Sequence, residues 1–243
     1  MQTSKRATWL CAARSAAAAT LACAGLAAQA SDRPYLATAS AAAEEDDDQV
    51  WSVETTWQRN GSARAITLAP EYAFNPTTSI QFELARVRDR SAGETTHVAG
   101  IEFKHLFNHI ARDGYGWGVD VELAFEAPSG QSLRRSGLGL SLPFSLRLGE
   151  GVALLHLNAG VFKPREGQRE WTGSLALEGE VYRRTTLFAE VARQGNERLA
   201  HAGVRYWVTR DKFALDLSAL RTRAAGAQTN GVVLGLAWYD LSF

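Results

Sequence analysis

The sequence predicts an all-β protein, an antiparallel transmembrane β-barrel of twelve strands. Three observations lead to this prediction. Apolar and polar residues alternate from Val50 to the end of the chain, many alternating segments are about ten residues long, and short connections take turns with longer ones. A tilted strand of that length crosses the hydrocarbon core of a bilayer. An even number of strands is usual in bacterial barrels.

The alternation has period two, which gives each predicted strand two different faces. Tyr115–Phe125 shows this clearly, because its apolar side chains share one face while Asp120 and Glu122 lie on the other. Between Leu138 and Leu148, every second residue is Leu or Phe. The twelve predicted strands are residues 49–58, 63–74, 79–88, 95–106, 115–125, 136–148, 152–162, 170–182, 186–193, 199–208, 212–221 and 231–243.

A soluble β-sandwich also alternates, so it was weighed against the barrel. The polar face of a sandwich meets water and tolerates lysine, yet after residue 30 the only lysines are Lys104, Lys163 and Lys212. Large apolar faces opposite faces of glycine, serine and carboxylate suit a lipid-facing exterior around a narrow polar interior. A sheet in lipid must close, because an open edge leaves unpaired amides in hydrocarbon.

The segment before the first strand divides into two parts. Residues 1–30 carry a short basic start, an Ala- and Leu-rich stretch and the small-residue site Ala28-Gln29-Ala30, which together predict a secretory signal peptide. Residues 31–48 are small and then acidic, ending in Glu44–Asp48. A run of acids repels itself and has nothing to bury. We therefore expect an acidic, solvated periplasmic tail at 31–48 and the barrel at 49–243.

Composition excludes several chemistries. The 243 residues carry 26 basic and 26 acidic side chains, and 46% of them are hydrophobic. The predicted signal peptide contains three bases and no acid, which leaves 23 bases against 26 acids. It also contains Cys11 and Cys23, the only cysteines. Structural disulfides, cysteine-bound zinc and thiol nucleophiles are thus excluded from the mature chain.

The C-terminus and the connections support a barrel in the outer membrane. The chain ends in an aromatic residue, Phe243, and strand parity predicts that Tyr239 and Leu241 share its face. This pattern resembles the signal by which the barrel assembly machinery recognises outer-membrane proteins. Connections such as 75–78 are short, whereas 126–135 and 222–230 are predicted to be longer loops. Short turns on one side and longer loops on the other are typical of such barrels.

Several short segments of the sequence resemble a family of outer-membrane barrels that are described as transporters associated with meta-pathway phenol degradation. The segments are Leu155–Gly160, Thr186–Val191, Ala202–Trp207, Ala214–Leu217, Glu71–Phe74 and Phe103–Phe107. The similarity spans roughly residues 65–243. It implies passage of small solutes, aromatic compounds among them, and it supplies no catalytic residues. Fold resemblance alone does not establish function.

Strand parity predicts which charged side chains point into the lumen. They are Glu54, Glu71, Glu83, Glu102, Lys104, Asp120, Glu122, Arg147, His156, Glu178, Glu180, Glu190, His201, Arg205, Asp216 and Asp240. Eleven of these are acids, against three Lys or Arg. One interpretation is a cation-preferring pore, because charges of one sign in a channel concentrate counter-ions. The other is a lumen filled with ion pairs, and both stay open.

Most other arginines lie on or beside the predicted extracellular side. They are Arg59, Arg64, Arg86, Arg88, Arg90, Arg134, Arg135, Arg165, Arg169, Arg198, Arg221 and Arg223. Guanidinium binds phosphate through a planar fork, so lipopolysaccharide is the expected partner there. An ordinary solvated rim is the alternative interpretation.

A catalytic hypothesis rests on one hairpin. If residues 150–151 form its turn, Ser145 lies opposite His156, with Asn158 one step along the same face. Serine beside histidine is the core of an activated hydroxyl nucleophile. A lone inward Ser–His pair is more often a satisfied hydrogen bond. No ligand spacing suggests a metal site, and no cofactor is predicted.

The prediction that follows is an outer-membrane channel or transporter for small solutes, not an enzyme. A barrel-embedded lipid hydrolase using Ser145 and His156 is the alternative, and a purely structural barrel is the third possibility. The expected partners are outer-membrane lipid, lipopolysaccharide and the assembly machinery. Nucleic acid is not expected, because the mature chain is slightly acidic.

Overall fold

The computed structural model describes residues 34–42, 49–149 and 153–241. Within these ranges, twelve β-strands and one short helix, α1 (Ile110–Asp113), follow one another along the chain. The strands are β1 (Val50–Asn60), β2 (Ala63–Asn75), β3 (Thr78–Asp89), β4 (Glu94–Leu106), β5 (Tyr115–Pro128), β6 (Arg134–Leu148), β7 (Ala153–Pro164), β8 (Glu170–Tyr182), β9 (Thr185–Gln194), β10 (Glu197–Thr209), β11 (Phe213–Ala224) and β12 (Ala227–Leu241).

The sheet closes on itself. Each strand is antiparallel to its neighbours in sequence, and β1 also pairs with β12. Closure leaves no strand edge unpaired, as a barrel in lipid requires. The predicted fold class and the number of strands are confirmed.

The two ends of the barrel are distinguished by what they carry. We call the end with Val50 and Leu241 the terminal end, and the opposite one the loop end. The loop-end connections are shorter than predicted, since β11 and β12 are joined by Ala225 and Gly226 alone. Both residues have positive φ angles, 50° and 82°, which a tight hairpin turn requires. The strands extend further than the apolar pattern suggested because polar residues such as Thr222 and Thr229 continue the ladder.

The outer face of the barrel is a band of large apolar side chains. Leu84, Leu140 and Leu217 are 54%, 45% and 55% exposed. The alternate positions point inward and are small or polar. This is the arrangement expected of a barrel surrounded by lipid. Among the described residues, no helix has the length and hydropathy to cross a membrane.

The segment of residues 34–42 lies inside the barrel. Tyr35, Thr38, Ala39 and Ala41 are each at most 1% exposed. This part of the predicted solvated tail is therefore buried, which corrects that expectation. The physical reason is that its backbone and hydroxyl groups find hydrogen-bond partners on the lumen wall. The acidic run Glu44–Asp48 and the predicted signal peptide lie outside the described residues.

Candidate functional site

The lumen segment, residues 34–42, is held chiefly by one carboxylate. Glu190 of β9 accepts hydrogen bonds from the backbone N–H of Leu36 and of Ala37, each at 2.9 Å. It also accepts one from the Thr38 hydroxyl at 2.6 Å. Glu190 is 2% exposed. A buried carboxylate needs such donors, because burying a charge without partners is costly.

A second anchor joins the other end of the lumen segment to β6 and β7. The Ala41 N–H donates to Ser145 Oγ at 2.8 Å. Ser40 Oγ lies 3.3 Å from His156 Nδ1, and Ser145 Oγ lies 2.8 Å from that same nitrogen. Ser145 and His156 face each other across the β6–β7 ladder. The sequence predicted this pair, but not that residues 40 and 41 would cover it.

Tyr35 fills an aromatic slot between strands. Its ring centroid is 5.1 Å from that of His156 and 6.2 Å from that of Phe188, where the two rings meet edge to face. Its hydroxyl lies beside the Glu178 carboxylate. Edge-to-face rings are a favourable aromatic arrangement. Tyr35 therefore fixes the start of the lumen segment against the wall formed by β7, β8 and β9.

Ala37 packs against the adjoining part of the wall, β9 to β12. It belongs to an apolar cluster of buried residues with Ala192, Leu199, Leu220 and Val233, which come from four consecutive strands. The lumen segment thus contacts β6 to β12 while consisting mainly of small side chains. Within the described residues it occupies part of the lumen without any covalent bond to the wall.

Gly116 makes room for the lumen segment. It faces inward near the terminal end of β5, and a β-carbon at this position would overlap the carbonyl group of Ala41. Gly100, which also faces inward, differs from it. A β-carbon there would meet only the Glu83 β-carbon at 3.5 Å, an ordinary van der Waals contact. The two glycines therefore offer a matched pair for mutagenesis.

Most of the predicted lumen-facing charges lie in the barrel interior. Those under 9% exposed are Glu54, Glu71, Glu102, Lys104, Asp120, Glu122, His156, Glu190, His201, Arg205 and Asp216. Glu83 and Glu178 also face inward and are partly exposed. Arg147 and Glu180 follow the inward parity but are exposed at the terminal end, where Glu180 pairs with Arg210.

One inward cluster is built around a single arginine. Arg205 binds Asp216 through two parallel hydrogen bonds of 2.8 and 2.9 Å. It also donates to the Tyr239 hydroxyl at 3.1 Å, which in turn donates to Glu54 at 2.8 Å. His201 extends the pattern, with 3.2 Å to Glu190. This side of the lumen matches the interpretation of ion pairs that fill space.

The last residues of β12 correct the predicted strand parity. Tyr239 points inward to Arg205, whereas Asp240, predicted to face the lumen, is paired with Lys212 at 2.6 Å on the exposed terminal end. Two features move these side chains. The β1–β12 ladder shifts register between Trp51 and Val53, and Asp240 has a φ of 56°. Tyr239 therefore faces the lumen, and Phe243 lies outside the described residues.

The wall formed by β2 to β5 is acidic. Lys104 lies 3.6 Å from Glu71, while Glu102 and Glu122 are directly opposite each other on neighbouring strands. Asp120 on the same wall accepts a hydrogen bond from Ser141 at 3.2 Å. Like charges directly opposite each other are unfavourable. This side of the lumen favours the interpretation of a cation-attracting surface.

A small cavity lies beside Ala37 of the lumen segment, lined by strands β5 to β8. Its lining includes Asp120, Glu122, Asn158, Phe162 and Ala37. The buried atom Oδ1 of Asn158 has no hydrogen-bond partner among the described residues. The cavity therefore offers carboxylates, an amide acceptor and an aromatic ring to a small solute.

The predicted nucleophile has part of the geometry that catalysis needs. His156 Nδ1 contacts Ser145 Oγ, and His156 Nε2 lies 3.8 Å from Glu178 Oε1, beyond hydrogen-bond reach. Ser145 is 0% exposed and its hydroxyl already accepts the Ala41 N–H. A substrate cannot reach this hydroxyl while the lumen segment is in place. The described residues also contain no group of three or more His, Cys, Asp or Glu side chains that could hold a metal ion.

A closed barrel of twelve antiparallel strands with a polar lumen is a fold that solved outer-membrane channels share. The barrel superimposes on the KdgM porin with a TM-score of 0.59 and 10% identity, over 79% of this chain and 99% of that one. For the NanC porin the TM-score is 0.57 at 9% identity, over 77% and 98%. For the COG4313 outer membrane channel from Pseudomonas putida F1 it is 0.56 at 12% identity, over 87% and 100%. All three are channels, and at these identities the likeness shows the fold alone.

The chain belongs to the family described as "Uncharacterised conserved protein UCP029691", whose model matches residues 20–238. The match includes the lumen segment as well as nearly the whole barrel. No curated protein matches the sequence. The predicted connection with phenol degradation therefore stays a prediction.

Proposed function

We propose that this protein is an outer-membrane channel for small solutes that residues 34–42 hold closed. The observation that carries the proposal is a closed barrel whose polar lumen is occupied in part by a short, non-covalently bound segment of its own chain. A purely structural barrel has no need of carboxylates and imidazoles that bind a removable segment. Departure of the lumen segment would leave a continuous polar passage between the two ends.

The charge of the free lumen supports a preference for cations. Arg205 and Asp216 neutralise each other, but the β2–β5 wall holds Glu71, Glu102, Asp120 and Glu122 with only Lys104 as a base among them. Charges of one sign that line a low-dielectric channel concentrate counter-ions. The net field along this wall therefore favours cationic over anionic solutes.

The cavity supports aromatic solutes within this class. The Phe162 ring faces inward over Gly137 and Gly139, which lack side chains that would displace it. An apolar ring face beside a few fixed polar groups is typical of small-molecule sites. A small aromatic solute could stack on Phe162 while Asn158 accepts one of its hydrogen bonds. This part of the proposal also draws on the family resemblance of the sequence.

The test is the single-channel conductance of the protein in planar bilayers. Wild type is compared with a variant in which residues 34–42 are replaced by a Gly/Ser sequence of equal length, and with Gly116→Leu. A leucine at 116 occupies the space of Ala41 and expels the segment while keeping its sequence. Gly100→Ala is the matched control, because it adds a side chain to an inward glycine that has room for it. Heat-modifiable mobility verifies that each barrel is folded.

We expect both test variants to be open at least about tenfold more of the time than wild type. The Gly/Ser sequence loses the Thr38 hydroxyl, and one hydrogen bond to a charged group changes the equilibrium by that order. A side chain at 116 overlaps the Ala41 carbonyl group and so opposes binding of the segment. Gly100→Ala should behave as wild type. Equal conductance of wild type and all folded variants would support a channel but contradict its closure by residues 34–42. Absence of conductance from every folded protein would overturn the channel and favour the structural barrel.

A lipid hydrolase using Ser145 and His156 is the second candidate, favoured by their 2.8 Å contact. It too requires the lumen segment to leave, since the serine is otherwise covered. Ester hydrolysis by the Gly/Ser replacement, lost on His156→Ala, would support it. The same rate with and without His156 would eliminate it.

The cellular context is proposed from the sequence. Cleavage after Ala30 would release a chain that begins at Ser31, and the barrel assembly machinery would insert it into the outer membrane through its C-terminal strand. The terminal end would face the periplasm and the loop end the exterior. N-terminal sequencing of outer-membrane material tests the cleavage, and a chain that starts at Met1 would contradict it.

A further inference from the structure

The loop end carries two rows of arginines on its outer face. In the first row, Arg59 lies directly opposite Arg64, and Arg64 directly opposite Arg88, on strands β1, β2 and β3. All three are outward by strand parity, since their neighbours Asn60, Ala63 and Val87 are buried inward. The positive charges of Arg59, Arg88 and Arg90 all act on Arg64. We call this set of three residues the first arginine row.

The second arginine row has the same construction on strands β9, β10 and β11. Arg193 lies opposite Arg198, and Arg198 opposite Arg223. Each of the six arginines is the second residue from the loop end of its strand. Both rows therefore lie at the loop end of the barrel, and outward Arg86 and Arg221 lie one step below them toward the apolar band.

Like charges that face each other across a ladder are destabilising. Among the described residues, no carboxylate forms an ion pair with any of the six arginines. Arg193 donates only to the carbonyl of Gly195, at 2.8 Å. Three adjacent guanidinium groups without an anion therefore oppose the folding of the barrel. An external anion at each row removes this cost.

We propose that the two arginine rows bind the phosphate groups of lipid that surrounds the barrel on its loop-end side. This rests on the membrane orientation proposed above and adds the position of the sites. Guanidinium forks bind phosphate bidentately, and three in a row can hold phosphates of more than one lipid. The side chains stand on the outer face, so the anion is a lipid headgroup rather than a solute in the lumen. Exposed Ile66, one step below Arg64, and Leu84, two steps below Arg88, provide the surface for its acyl chains.

The experiment measures binding of phosphorylated lipid A to the purified, folded protein. Wild type and variants are reconstituted in phosphatidylcholine vesicles with or without a minor fraction of lipid A, and bound lipid A is quantified by mass spectrometry after re-extraction. The test variants are Arg59→Gln/Arg64→Gln/Arg88→Gln and Arg193→Gln/Arg198→Gln/Arg223→Gln. The control, Arg135→Gln/Arg165→Gln/Arg169→Gln, removes the same charge from the same end without touching a row.

We expect each row variant to bind lipid A at least about tenfold more weakly, since three adjacent guanidinium groups that bind phosphate together are lost at once. The control variant and wild type should bind alike, and lipid A without its phosphates should bind weakly to both. Unchanged binding by the row variants, or an equal loss in the control, would overturn the sites. Competition by inorganic phosphate at low concentration would show a free-anion site and contradict a lipid site. Fractionation of wild type away from the outer membrane would instead contradict the orientation on which the inference rests.

Discussion

The hydroxyl of Thr38 donates a 2.6 Å hydrogen bond to Oε1 of Glu190 inside the barrel. The donor belongs to the segment that precedes the barrel and the acceptor to its ninth strand. Together with the backbone N–H groups of Leu36 and Ala37, this contact gives the Glu190 carboxylate three hydrogen-bond donors. All three belong to the lumen segment, which is not paired with any strand. The same bond that stabilises the closed state is thus the one whose loss should open it.

Replacing Thr38 by Val removes this donor while keeping the shape of the side chain. A hydrogen bond to a charged group contributes about 1.5–3 kcal/mol, so the open population should rise about tenfold or more. The open probability of single channels is the measurement. Thr56→Val is the control, because Thr56 is buried on the β1 wall and makes no hydrogen bond to the segment. An unchanged open probability in Thr38→Val would mean that this contact does not hold the channel closed.

The pair Ser40→Cys/Ser145→Cys should form a disulfide, because both hydroxyls contact His156 Nδ1. The predicted mature chain has no other thiol to compete. We expect the oxidised protein to show no openings, and reduction to restore the infrequent openings of wild type. The single-cysteine variants should not respond to reductant. Free thiols that react readily with a bulky reagent in the folded double variant would show that residue 40 lies outside the lumen.

Leu140→Arg and Ser141→Arg should differ greatly in their effect on folding in lipid. Leu140 is outward and 45% exposed, whereas Ser141 is inward and donates to Asp120. An arginine at the centre of the lipid face costs about 2–4 kcal/mol, while arginine at 141 gains a carboxylate partner. Denaturant unfolding in vesicles compares them. Similar losses at the two positions would contradict the assigned faces of β6.

Deletion of Phe243 should reduce insertion into the outer membrane. The final strand must be recognised and paired with β1, because an open edge does not persist in lipid. The amount of heat-modifiable protein in outer-membrane fractions at native expression is the measurement. Phe243→Tyr keeps an aromatic terminus and should assemble normally. Full assembly of the deletion would show that the terminal aromatic is not required.

The barrel could be predicted from the sequence because apolar and polar residues alternate along each strand according to the face they occupy. The alternation of Leu138–Leu148 and the inward acids of β5 needed no tertiary information. At Tyr239 and Asp240 the same rule failed, since a register shift and a positive φ are decided by the partner strand. Parity predicts faces only where the ladder is regular.

The lumen segment could not be predicted from local pattern. Its small residues, Ala37–Ala42, have neither period two nor a helical face, and their partner Glu190 lies far along the chain. Two features of the sequence are related to the segment. Gly116 is an inward glycine that allows another backbone to approach closely, and His156 lies opposite Ser145. Neither feature indicates a lumen segment until its contacts with residues 40 and 41, which are distant in sequence, are known.

One recording tests the channel and its lumen together: the reversal potential and conductance of the Gly/Ser replacement of residues 34–42 in a potassium chloride gradient. We predict openings that wild type rarely shows, with a reversal potential displaced toward that of potassium, because the β2–β5 wall keeps its excess of carboxylates when the segment is gone. Salt screens the positive charges of the exposed loop-end arginines beyond about 8–10 Å at physiological ionic strength. The carboxylates of the lumen should therefore determine the preference for cations over anions. A folded replacement variant that stays silent, or one that prefers chloride, would contradict a closed, cation-preferring channel.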